Sequence, residues 1–554
     1  MVERNNNNKY SFRHRVLALS VLCLFGFCLW TNAVAQDAKE PAKSKVFLLH
    51  ADVLKKSKDN PNPEAQILVG DVVFRHDSIY MYCDSACFYE KSNKFEAFSN
   101  VKMEQGDTLF LYGDCLYYDG NIQLAKVRQN VRMENKNTVL TTDSLDYDRI
   151  ANLGYYFDGG KLVDEENELT SYWGQYSPAT KFAEFNDEVN LVNAQFTLTS
   201  DTLRYNTMTK IANIVGPSHI HNQQNYIYSE MGFYHTQIGQ AELLNRSYLM
   251  NDGKRMTGDS LFYDRNKGYG EAFDHVVYTD TLNKNMLTGN YCYYNELTKN
   301  AFATDSAVAI DYSQGDSLFM HADTLQLYNY YLDTDSMYRE MRAHYKVRAY
   351  RTDVQAVCDS LVFSSKDSCL TMYNNPIIWN NNQQLLGEQI KVYMNDSTID
   401  WAHIKNQALS VERIDSVHYN QVSGKDIMAY FEGGEMRQVD VKGTVRLVYY
   451  PQEKDSTILF GNVSETSLLN VYLKDRKMTK MRMSPNSNGM LYPLSKMNKD
   501  KMYLKNFNWL DYIRPVSKQD IFVWRAKRAE DVLQKSKRGT APKPNQEIFN
   551  QKKE

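Results

Sequence analysis

"VLTTDSLDYD", residues 139–148, carries the pattern on which the fold of this 554-residue chain turns. Fifty-eight residues later stands "FTLTSDTLRYN" (196–206), and fifty-eight further on "RMTGDSLFYDR" (255–265). Stepping from Asp143 in units of 29 reaches Asp114 backwards and Tyr172, Asp201, Glu230 and Asp259 forwards. Slightly longer spacers extend the series to Asp84, Asn290, Asp323, Asp359 and Glu388, which makes eleven copies. Asp52 and Lys425 mark degenerate copies at the two ends.

Three positions before the acid, every copy is apolar, as at Leu111, Leu140, Leu169 and Leu198. One position before it, every copy is small. Two and four positions after it come residues such as Leu116 and Tyr118, Leu145 and Tyr147, Leu203 and Tyr205, and Leu261 and Tyr263, with Tyr176 and Tyr234 in the same last column. Alternation of period two is the mark of a strand with one buried face. The inward parity changes across the acid, so each strand must bend or bulge there. A small residue followed by a carboxylate that accepts local backbone N–H groups suits such a corner. Return segments such as "IQLAKVRQNVRMEN" (122–135) complete each copy, which therefore holds about two strands and cannot bury its face alone. The expected fold is all-β, an elongated stack of ~29-residue repeats. Periodicity leaves two architectures open: an antiparallel two-walled roll, or a parallel β-helix.

The first residues read as a leader. Arg4, Lys9, Arg13 and Arg15 precede the apolar run Val16 to Trp30, and "TNAVAQ" places cleavage after Ala35. Without residues 1–35 the chain holds 60 basic and 66 acidic residues, a net charge of −6. From Lys496 onward there are fifteen Lys/Arg against seven Asp/Glu, which leaves a body of about −14. An acidic body argues against a nucleic-acid partner. Six cysteines remain (Cys83, Cys87, Cys115, Cys292, Cys358 and Cys369), in no zinc-like spacing; Cys83, Cys292 and Cys358 fall in small core columns. His219-Ile-His221 puts two imidazoles on one face of a strand without a third metal ligand at matching spacing, and no cofactor is expected. The recurring acid could suggest a glycosidase pair, but one acid per copy at a corner is a structural signature.

These columns resemble the OstA-like family, the periplasmic module of the lipopolysaccharide transport bridge. The residues that carry the resemblance are "CDSACFYEKSNKFEAFSNVKME" (83–104), "GDCLYYDGNIQLAKVRQNVRMEN" (113–135) and "SDTLRYNTMTKIANIVG" (200–216). The similarity is strongest over 46–220 and weakens toward 480. It implies an open-ended antiparallel β-jellyroll whose apolar interior holds lipid A acyl chains. The chain then divides into a leader (1–35), an OstA-like module (36–220), further repeats (221–480) and a short helical or irregular segment with a basic tail (481–554). It is most similar to an enlarged bridge component, without a long barrel region after the repeats. The resemblance implies lipopolysaccharide as cargo, other jellyroll modules docked by edge-strand pairing, and an outer-membrane barrel as a further partner. The expected location is the periplasm, exported and in association with the outer membrane. Leu111, Leu116, Tyr118, Leu140, Leu145, Tyr147, Leu169, Tyr176, Leu198, Leu203, Tyr205, Tyr234, Leu261 and Tyr263 are the candidate groove, with Asp146 and Arg204 as outward neighbours. The rival readings are a closed structural or adhesive solenoid and a polysaccharide-acting β-helix enzyme.

Overall fold

The computed structural model describes residues 44–56, 64–222, 225–251, 253–313, 315–395, 398–453, 455–475 and 477–531. The leader and the end of the basic tail lie outside the described residues. Strands make up 67% of the structure and helix 4%, so the class is all-β. Strand after strand pairs antiparallel with the one before it, as Gln66–His76 does with Ile79–Tyr89, and Thr197–Asn206 with Ile211–His221. Antiparallel pairing removes the parallel β-helix and leaves the jellyroll. By internal packing the chain forms two compact units, one up to Val131 together with Asp146–Ala151, the other of Arg132–Leu145 and everything from Asn152 on.

Each long strand serves two walls. In the first unit the register slips between Val69 and Val72, between Tyr82 and Ser85, and between Phe98 and Val101, so the halves of a strand turn the same side inward. The second unit does the same between Ser200 and Thr202, Phe273 and Val276, and His344 and Val347. On the return strands the bend is made by two consecutive left-handed residues. Ser99-Asn100, Gln129-Asn130, Asp187-Glu188, Asp274-His275, Tyr345-Lys346 and Asn406-Gln407 all have φ between 49° and 66°. At the degenerate first copy the bulge begins with Gly70 (φ 85°), where a Cβ would stand 2.2 Å from the Asp52 carboxylate.

The acid column belongs to these corners, with one correction to the sequence reading. The carboxylate accepts from the left-handed residue of the neighbouring strand rather than from local backbone. Asn100 donates to Asp84 (2.7 Å) and Asn130 to Asp114 (2.6 Å). His275 meets Asp259 (2.8 Å), Lys346 donates to Asp323 (3.2 Å) and Gln407 to Glu388 (2.7 Å). A non-glycine residue in this region costs on the order of 1–2 kcal/mol, and a charge-assisted hydrogen bond is of the size needed to offset it.

Inside the second unit, one wall alternates large and small residues along a continuous cross-strand row. Tyr176, Ala183, Tyr205, Ala212, Tyr234, Ala241, Tyr263, Gly270 and Tyr294 stand directly opposite one another in turn. Each phenol ring lies over a neighbour too small to collide with it. Gly174 shows the limit, because a Cβ there would sit 2.5 Å from the Tyr156 ring.

The segment after the last strand is short: among the described residues it holds a helix Lys499–Met502 and four 3-10 turns, Leu494–Lys496, Asp511–Ile513, Asp520–Phe522 and Ala529–Asp531. It runs back as a strap over the outer face of the later strands. Leu510 and Ile513 pack on Val357, Ile377, Trp379, Leu386, Leu409 and Val411. Gln421 donates to Met502 O (2.8 Å) and accepts from Leu504 N (2.9 Å), and Gln384 does the same with Asn508 O and Leu510 N (both 2.8 Å).

The corner makes a direct prediction. Asn130→Val keeps size but puts a β-branched residue in the left-handed region and removes the donor to Asp114; it should cost about 2–3 kcal/mol in urea unfolding. Asp114→Ala, which leaves the backbone free to relax, should cost only about 1 kcal/mol.

Candidate functional site

The candidate site is the interior between the walls within each unit, and its character changes along the chain. All fourteen groove candidates named from the sequence are buried, with exposures of 0–6%. In the first unit the inner row Phe74, Met81, Met103 and Leu111 is sealed. In the second unit the corresponding row is sealed from Leu140 through Leu162, Leu169, Leu191 and Leu198 to Ile227.

What seals this part is a set of polar bonds between strand tips of opposite walls, on the side away from the corners. In the first unit Arg149 lies between Tyr118 Oη (2.6 Å) and His76 Nδ1 (2.9 Å), with Asp77 at 3.6 Å. A guanidinium only donates, so Nδ1 is the acceptor and the imidazole proton sits on Nε2. The Tyr147 hydroxyl donates to Gln105 (3.2 Å). In the second unit Lys181 binds Asn135, and Lys210 binds both oxygens of Asp164 (2.8 and 2.9 Å), which also accepts from Tyr205 (2.8 Å). Asn167 reaches Thr236 (3.2 Å) and Asn225 reaches Glu296 (3.3 Å). The tyrosine column therefore fills the interior with its rings and laces the mouth with its hydroxyls. Burial pushes the Tyr118 and Tyr156 phenols up to about 12.

Beyond Glu296 the strand tips bond within their own wall. Arg351 holds Asp353 (2.6 Å), Ser365 accepts from Arg339 N (2.8 Å), and Asn382 donates to Arg413 O (2.8 Å). Here, among the described residues, no such bond laces the mouth, and the interior opens. The inner row continues through Leu287, Ala309, Met320, Ala349, Ala356, Ile378, Leu385, Ser410 and Val422; Met320 stays buried and the others are partly exposed. The facing row passes through Tyr294, Leu327, Met341, Phe363 and Leu370, and Leu327 is 36% exposed. The row nearest the corners stays buried throughout, through Cys292, Leu325, Leu361, Met372, Ile390 and Ile427. The result is a trough with a closed apolar floor and partly open apolar walls over about 285–370, beyond which the facing row is buried again at Val392, Ala402 and Ala429.

This trough was missed in the sequence because its residues satisfy the same columns as the sealed part. The only signal was the weakening of the tyrosine column to Leu327, Phe363 and Val392. The expected outward neighbours differ from each other. Arg204 is exposed, whereas Asp146 is buried in its ion pair with Arg128 (2.6 Å) on the outer face. His219 is engaged by Tyr226 (2.6 Å), and among the described residues no three His, Cys, Asp or Glu side chains gather as a metal site. The six cysteines are free thiols; Cys83, Cys292, Cys358 and Cys369 are buried.

Burial, then the Arg149 charge, hold His76 below its ordinary 6.5, and burial lowers His321, His344 and His403 as well. Groups that stay neutral when folded but protonate when unfolded support stability fully above 6.5 and lose that support as pH falls through their lowered values. Stability in denaturant titrations should therefore fall between about pH 7.5 and about pH 5.5, and His76→Gln should flatten that slope.

Residues 43–201 match the family model described as OstA-like protein. No curated protein matches the chain.

Proposed function

We propose that this chain, with its OstA-like module, is a periplasmic, non-enzymatic lipopolysaccharide carrier, which passes lipid A acyl chains along the interior of its roll toward the outer membrane. The observation that carries the reading is the half-open apolar trough beyond residue 285, with its buried floor and exposed wall residue Leu327. Fully burying a dozen-carbon chain would be worth roughly 10 kcal/mol at about 0.8 kcal/mol per CH₂. Several such chains would approach the ceiling of non-covalent affinity near −20 kcal/mol, and cargo would not leave. A trough that covers each chain on only part of its surface keeps the affinity in a range compatible with hand-over.

On this reading the trough takes the lipid first. The sealed interiors, lined in the first unit by Leu111, Leu116, Tyr118 and Tyr147 and in the second by Leu140, Leu145, Leu169, Tyr176, Leu198, Leu203, Tyr205, Tyr234, Leu261 and Tyr263, admit it only when the strand-tip bonds open. The terminal strands supply docking edges for other jellyroll modules or for an outer-membrane barrel. Phe47–His50 and Val53–Lys55 pair with Gln66–His76 and expose Phe47, Leu49, Val53 and Leu54. At the other end Lys477–Ser484 and Asn488–Pro493 pair with Phe460–Lys474. An unpaired strand edge is a template for another chain. No helix among the described residues is long and apolar enough to cross a membrane.

A photo-crosslinking residue at Leu327, inside cells that make lipopolysaccharide, should give lipid adducts, whereas the exposed outward position Arg204 should give none. Equal labelling at both positions, or none at Leu327 in a folded exported protein, would sink the carrier reading and favour a closed solenoid. Lys210→Met should raise labelling at Tyr205, because it removes the cation that ties Asp164 across the mouth.

A further inference from the structure

The last turns of the strap expose apolar side chains that the fold holds rigidly in place. Phe522, Val523 and Trp524 are 50%, 49% and 40% exposed, and nearby Val516 is also exposed. Their flanks are fixed. The buried Arg348 guanidinium donates to Ile521 O and lies 5.4 Å from the Trp524 ring. Arg525 makes two bonds to Asp520, Lys527 donates to Asn375 O (2.6 Å), and Arg514 donates to Gln355 (2.7 Å). A chain end that merely packed back onto its own sheet would turn such a triplet inward, as it does Leu510 and Ile513. Here the backbone is anchored, and with Phe522 packed 4.9 Å from the His321 ring and Trp524 over Arg348, the two rings still keep 50% and 40% of their surface exposed.

Charge selects the partner. Lys518 and Arg528 are exposed beside this triplet. The twenty-three residues that follow Asp531 carry six Lys/Arg against two Glu, while the body before Lys496 is acidic. That sequence is poor in large apolar residues, so it cannot supply a second docking face of its own. Trp and Phe favour the boundary between headgroups and acyl chains, and basic residues near an anionic bilayer add attraction that salt screens. A protein partner would need no such excess of one sign spread over so polar a stretch.

We infer that the face formed by Phe522, Val523 and Trp524, with Lys518 and Arg528, docks the protein on an anionic bilayer surface. The inference is independent of the carrier reading, since it concerns the outer face of the strap and bilayer phospholipid rather than cargo in the trough. Docking would hold the later strands, to which Gln355, Gln384 and Gln421 tie the strap, beside a membrane.

The test is flotation of the full mature chain with vesicles of phosphatidylcholine alone or with about 30% phosphatidylglycerol. Binding should require phosphatidylglycerol and fall by at least about tenfold between roughly 50 mM and 500 mM salt. The triple change Phe522→Ser, Val523→Ser and Trp524→Ser should lower binding about tenfold or more with the far-ultraviolet circular dichroism unchanged. Because that variant alters the strap, Lys518→Glu with Arg528→Glu is the second arm, and it should weaken binding without touching an apolar residue. Inorganic phosphate should compete no better than chloride of equal ionic strength. Equal binding to neutral vesicles, no binding to anionic ones, or unchanged binding by both variants would overturn the inference. Failure with vesicles would leave the crosslinking result at Leu327 unaffected, so the two readings fail separately.

Discussion

Everything in this protein depends on bending a β-strand so that both of its halves present the same side to one interior. A straight strand alternates its faces, and one extra residue exchanges them. The chain uses that rule as a construction method, with a pair of left-handed residues on most return strands and a single left-handed glycine, Gly216, on Ile211–His221. Residues such as Asn130 and Tyr345 take an unfavourable conformation to do so. The recurring carboxylates Asp84, Asp114 and Glu388 hold the bulge by accepting from it across the strand gap. The acid column is thus a hinge pin, and its recurrence follows from the recurrence of the bend.

Once the corner is set, the interior is a wedge whose mouth lies at the strand tips. How the mouth is treated decides what the interior can do. In the earlier copies tyrosine rings fill the wedge above alanine and glycine, and their hydroxyls join tip residues such as Asp164 and Gln105. The Lys210–Asp164 pair is largely withdrawn from water, so each partner depends on the other to be tolerated. Such bonds specify a closed geometry more than they add stability. In the later copies the tip residues turn to their own wall, and apolar side chains inside are left partly in water. A contiguous exposed apolar surface marks a place where something binds.

The outer face of those later strands shows the complementary inversion. Gln355, Gln384 and Gln421 are buried on the outside, where earlier copies carry solvated side chains, because the strap covers them. Trp379 packs outward under Leu510 and Ile513, and its indole donates to Gln384, which in turn grips the strap. The later part is thus closed outside and open inside, and the earlier part is the reverse.

The repeat, its corners, the all-β class and the inward columns were legible in the sequence, because alternation and spacing are imposed on every copy by the same local geometry. Leu140, Leu203 and Tyr205 are inward for reasons that three or four neighbouring residues already state. Periodicity did not choose antiparallel over parallel pairing, since both use period two; the resemblance to the OstA-like family did, and the strand pairing bears it out. The partner of each acid was not legible, since it comes from a strand some sixteen residues away. The sealing of the early interior, the opening at Leu327 and the outward burial of Trp379 depend on contacts between residues such as Asn225 and Glu296, or Gln384 and Leu510, separated by 71 and 126 positions. Sequence alone therefore determined which side of each strand faces in. Only the tertiary structure decided where the inside is closed, because closure is made by pairs of side chains that periodicity does not bring together.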